Sequence, residues 1–110
     1  MTESGIPSDR PKPLTPAEAY KAIQQLLELR DSIGWTRHAR NRARERRFTT
    51  DDVRRVLVRG TVSPDPQWDE QFENWKYKVS GHDYDDEPLA VIIVLEPHLG
   101  RITLITGEDA

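Results

Sequence analysis

The sequence predicts an α+β domain: three N-terminal helices packed on a small antiparallel sheet of three to four strands. Two observations carry that expectation. Up to Gly60 the apolar residues recur at helical spacing between residues that cap helices well. From Thr61 onward, short alternating or wholly apolar runs are separated by turns rich in Pro, Gly and Asp. Size adds a constraint, because 110 residues hold one core and no second.

Residues 1–13 are polar and carry Pro7, Pro11 and Pro13, which predicts a disordered tail ahead of a single domain over 14–110. Thr15 caps the first helix, Pro16 takes its first position and Glu18 completes a capping box. Ala19, Ala22, Ile23, Leu26, Leu27 and Leu29 form its apolar stripe, with Gly34 just past its end. The second helix is read over TRHARNRARERRF; its only small apolar residues, Ala39 and Ala43, lie one turn apart, so most of its circumference is polar. Phe48 is expected to turn back into the core. Thr49 caps a third helix, Asp51 and Asp52 occupy its first turn, Val53, Val56 and Leu57 are its buried stripe, and Gly60 ends it. Thr61–Ser63 allows a short strand. In Asn74–Ser80, Trp75, Tyr77 and Val79 face one way and Lys76 and Lys78 the other. Leu89–Glu96 is apolar on both faces, as a central strand is. Arg101–Thr106 supplies the last strand.

Several function classes drop out at this level. The chain has no cysteine, hence no disulfide framework and no thiolate metal site, and a reducing cytoplasm is the simplest expectation. The first residues contain no apolar signal region, and the longest apolar run, Leu89 to Leu95, is far short of a membrane span. No cofactor motif is present. His82, Asp83, Asp85, Asp86 and Glu87 crowd one turn, but they lack the glycine and the terminal glutamate of a calcium loop, and they read as solvated turn residues. His38, His82 and His98 show no shared ligand spacing, so no metal site is expected.

The overall charge of −3 conceals a strong asymmetry. Residues 37–59 hold nine arginines against Glu45, Asp51 and Asp52, a net of +6, whereas residues 60–110 hold three basic and eleven acidic side chains, a net of −8. A basic stripe concentrates polyanions if the acidic half faces elsewhere. If it does not, the arginines pair within the chain or dock an acidic partner protein.

At about 100° per residue, His38, Arg42, Glu45 and Arg46 share one face of the second helix. A histidine and two arginines brought together this way suit metal-free phosphodiester cleavage. The imidazole moves the 2′-hydroxyl proton, and the guanidinium groups hold the phosphate and its developing charge. The competing reading pairs Glu45 with Arg42 at i, i+3 and leaves His38 to cap or pack at the helix start. Arg37, Arg40, Arg44 and Arg47, extended by Lys76 and Lys78, are the candidate nucleic-acid contacts; the lysines also read as guards of an edge strand. The second and third helices resemble a helix-turn-helix, yet Asp51 and Asp52 at the entry of the third would repel DNA.

His38-Ala39, Arg42, Glu45-Arg46, Asp52-Val53, Leu57 and Gly60, followed by Trp75 through Gly81 and the strands ending at Ile105-Thr106, resemble a small bacterial family catalogued as domain of unknown function 4258. The likeness covers roughly residues 35–107. Ala43 stands where a larger, methionine-like residue is usual, and Arg47 where glycine or asparagine is common. The resemblance implies an α+β domain comparable to RelE-like and barnase–colicin type ribonuclease toxins, often encoded beside antitoxins. It makes His38, Arg42 and Arg46 the catalytic candidates. The expected function is therefore a toxin-like domain that cuts or binds RNA without metal. The alternative is a non-enzymatic module docking an acidic, antitoxin-like partner. The sheet's second apolar face also allows a homodimer.

Overall fold

The structure, a computed structural model, describes residues 10–109. Its elements run α1 (Pro16–Leu27), β1 (Ile33–Trp35), α2 (Arg37–Arg46), α3 (Thr50–Arg59), β2 (Thr61–Val62), β3 (Gln67–Asp69), β4 (Asn74–His82), β5 (Pro88–Glu96) and β6 (Arg101–Glu108), with one 3₁₀ turn over Pro97–Leu99. The α+β class and the three helices stand. The sheet is larger than expected, with six strands in the order β1-β6-β5-β4-β2 and β3 also paired to β4. It is mixed, because β1 runs parallel to β6 while the other pairs are antiparallel.

β2 is the short strand expected at Thr61–Ser63, and the two additional strands, β1 and β3, are three residues long each, too short for an alternating pattern to emerge. β1 carries a second lesson. The sequence pattern places the end of α1 at Gly34, but that helix closes at Leu27 with Glu28 as its cap, and Gly34 lies in β1. The chain then turns through a left-handed Asp31 before entering the sheet edge. Leu29, counted in the helical stripe, is half exposed.

All three helix starts are anchored by threonine. Thr15 and Thr49 close capping boxes with Glu18 and Asp52, and Thr36 accepts from the Ala39 N–H at 3.0 Å. The core lies between the helices and one face of the sheet. Ile23, Leu27, Val53, Val56 and Leu57 meet Tyr77, Val79, Val91, Ile93, Ile102 and Leu104 there. Close approach fixes Gly60, where a Cβ would stand 2.5 Å from the Val56 carbonyl oxygen and 2.6 Å from that of Ser80. The opposite face of the sheet carries Lys76 and Lys78, while Ala90 and Val94 on the central strand are fully buried within the chain itself.

Of the N-terminal tail, residues 1–9 lie outside the described residues. Residues near position 11 are held against the sheet: the Trp75 indole N–H donates to the Pro11 carbonyl at 2.7 Å, and Arg10 lies 4.8 Å over the Trp68 ring.

A candidate nucleic-acid interface on the second helix

α2 sits on β6, and its sequence explains how it can lie so close. Ala39 is fully buried and Ala43 is packed against the core, so the contact surface consists of methyl groups. Its start is bolted to the strand. The Thr36 N–H donates to the Leu104 carbonyl at 3.2 Å, and the Thr36 hydroxyl is shared between the carbonyls of Leu104 and Ile105 at 3.0 and 3.1 Å. Those two consecutive carbonyls are presented by a bulge in β6: Ile92 pairs with Thr106, but Ile93 pairs with Leu104, leaving Ile105 over. The helix ends at Arg47, which adopts left-handed geometry with φ 60° and ψ 40° and returns its N–H to the Ala43 carbonyl. The next residue, Phe48, is 5% exposed, as its expected return to the core requires.

The basic side chains separate into two groups around the axis. Arg42 and Arg46 flank the alanine seam and reach toward the end of β6. Arg42 donates through Nε to the Gly107 carbonyl at 3.3 Å and through Nη1 to Glu45 Oε1 at 3.2 Å. Arg46 is bridged to Asp109 through Nη2, while its Nε is buried without a hydrogen-bond partner among the described residues. The i, i+3 pairing of Arg42 with Glu45 is thus present. His38, on the same side one turn earlier, is exposed and makes no hydrogen bond or ion pair among the described residues. Of the three catalytic candidates, then, the two arginines come together at the strand end, each with a protein partner, and the imidazole stands outside that network.

The second group is different. Arg37, Arg40, Arg44 and Arg47 follow at intervals of three and four residues, within an arc of about 80°, and all four are exposed. Arg37 and Arg40 have no partner among the described residues, and Arg44 meets the Asn41 side-chain oxygen at 2.6 Å. Arg47 lies with Arg46 on the rim of a cleft of about 220 Å³ whose other walls include Asp83, Asp85, Glu87 and Asp109. Among the described residues, the carboxylates of the acidic half meet arginines of the basic segment at the C-terminal end of α2. Among the described residues, no carboxylate pairs with Arg37, Arg40 or Arg44.

Lys76 and Lys78 do not extend this surface. They occupy the far face of the sheet, where Lys76 approaches Asp69 at 3.7 Å and Lys78 pairs with Glu108 at 3.3 Å. Of the remaining arginines of the basic segment, two have local tasks: Arg54 donates to the Leu27 carbonyl at 2.8 Å, and Arg55 lies 4.8 Å over the Tyr84 ring. The acidic turn after β4 is organised by its own residues, with Asp83 accepting from the N–H groups of Asp85 and Glu87, each at 2.9 Å. Among the described residues no group of three or more His, Asp or Glu is arranged to hold a metal.

Sequence reasoning passed over Trp35. It ends β1, and its ring stacks on Phe48 with centroids 5.9 Å apart and planes at 18°. It borders a shallow hollow of about 390 Å³ together with Arg40, Ala43, Arg44, Phe48 and Thr50. A tryptophan immediately ahead of an arginine-rich helix was the available signal.

An α+β domain with an arginine-bearing helix clamped over the last strand of a mixed sheet defines the class of protein. Within it, the family described as Domain of unknown function (DUF4258) matches residues 35–106, and the chain belongs to that family. α1 lies ahead of the matched region. No curated protein and no solved structure matches the chain. Among the described residues no helix is long and apolar enough to cross a membrane.

Proposed function

We propose that this domain binds RNA through the outward arginine row of α2, without cleaving it. The observation that carries the reading is the division of α2 into two arginine groups: Arg37, Arg40 and Arg44 are exposed and free of carboxylate partners, whereas Arg42 and Arg46 are engaged by Glu45, the Gly107 carbonyl and Asp109. Guanidinium groups without carboxylate partners, spaced along one helix face, suit successive phosphates. Cleavage would require Arg42 and Arg46 to leave their partners and hold a phosphate beside His38. In this reading the protein works in the cytoplasm. A toxin-like setting would have an acidic antitoxin cover the same row.

Fluorescence anisotropy with a labelled oligoribonucleotide tests the proposal, using the full chain and an Arg37→Glu, Arg40→Glu, Arg44→Glu variant. The expected result is binding by the wild type at low salt and at least a tenfold loss in the variant. Absence of binding by the wild type, or equal binding by both proteins, overturns it. RNA incubated with the protein in EDTA should remain intact; cleavage abolished by His38→Ala would replace binding with catalysis. Capture of an acidic partner with no affinity for RNA would favour the docking alternative.

A further inference from the structure

We infer that the hollow beside Trp35 is a base-stacking subsite, so that the interface selects single-stranded RNA over duplex. This rests on the proposed phosphate binding by α2 and names the form of RNA that such binding serves.

The aromatic floor is firmly backed. The tip of the Phe48 ring points at Gly107, where an added Cβ would stand only 2.5 Å from Cζ; Trp35 then stacks on Phe48. Trp35 is half-buried, and its indole N–H, unlike that of Trp75, has no hydrogen-bond partner among the described residues. The small side chain of Ala43 keeps the helix side of the hollow low. Arg40 and Arg44, two members of the outward row, form its rim.

An aromatic wall within reach of two cations that have no carboxylate partner suits a nucleotide, which offers a π face and a negative charge on one covalent unit. Polarity follows from the surroundings. A separate cleft that also touches Trp35 is lined by Asp31, Ser32 and Arg54 and by no arginine of α2. Phosphates are therefore expected along α2, with the base directed toward β1. A base within a duplex presents only its edges and cannot supply the face that Trp35 requires.

The test uses the wild-type protein with three probes of equal length: an oligoadenylate, the same ribose-phosphate chain without bases, and an RNA duplex. The oligoadenylate is expected to bind about tenfold or more tightly than the other two. Trp35→Leu should lose that preference while still binding the abasic chain, and Trp35→Phe should retain most of it. Equal affinity of the wild type for all three probes overturns the stacking subsite and leaves phosphate binding intact. Failure of the wild type to bind any of them removes both. An unaltered preference in Trp35→Leu also overturns the assignment, because the stacking surface would then lie elsewhere.

Discussion

Asp52 joins three segments through one carboxylate. Its Oδ2 accepts from the Thr49 N–H at 2.9 Å and the Thr49 hydroxyl at 3.1 Å, and its Oδ1 accepts from the Tyr84 N–H at 3.0 Å. Burial alone would raise its pKa, but the Tyr84 and Thr49 N–H groups, assisted by the hydroxyl, outweigh burial and hold it below the ordinary 3.8. A lowered folded value means that the stabilisation is complete above the unfolded pKa and disappears as pH falls through the folded one. Asp52→Asn should therefore cost about 1–2 kcal/mol near neutrality in urea unfolding, and should flatten the decline in stability below pH about 4. The sequence revealed the helix cap; it could not reveal that the β4–β5 turn would arrive at the same carboxylate. Arg47 is a second such position. A non-glycine residue in left-handed geometry is strained. Arg47→Gly should raise stability by about 0.5–1 kcal/mol, read as a higher denaturant midpoint with unchanged slope.

Among the elements, legibility followed length and capping. Helix starts at Thr15 and Thr49 could be read because a capping box is a local chemical pattern, and β4 and β5 because nine residues suffice to show their faces. β1 could not, since a three-residue parallel edge strand is specified by its partner β6 and not by its own pattern. The helical wheel of α2 likewise placed His38, Arg42 and Arg46 on one side correctly, but nothing in their spacing could show that Gly107 and Asp109 would meet the arginines. Those partners lie more than sixty positions away in sequence and become neighbours only when β6 crosses under α2. Trp35 was missed for the same reason, as its stacking partner Phe48 is brought beside it by the return of the chain after α2.

Across the whole molecule, the +6 and −8 halves neither neutralise each other fully nor face cleanly apart. Their charges meet where Asp83, Asp85, Glu87 and Asp109 line the cleft shared with Arg46 and Arg47, and among the described residues no carboxylate pairs with Arg37, Arg40 or Arg44. Three arginines without carboxylate partners among the described residues imply a modest electrostatic footprint. The logarithm of the single-strand binding constant should fall against that of salt concentration with a slope of about −2, measured by anisotropy between low and physiological salt. A slope twice as steep would mean that the paired arginines also release their carboxylates on binding.

The bulge at Ile105 has a consequence for how the chain tolerates changes in length. Inward-facing residues of β6 are Ile102 and Leu104 before it and Gly107 after it, so the extra residue advances the alternation by one step. Without that step Thr106 would fall beneath the tip of Phe48, where even a single Cβ has no room. The strand thus works as a phase shifter. Deletion of Ile105 would straighten the ladder and leave Gly107 opposite Val91 beneath Phe48, but would remove one of the two consecutive carbonyls that hold Thr36 at the start of α2, while substitution by another aliphatic residue would leave that anchor in place.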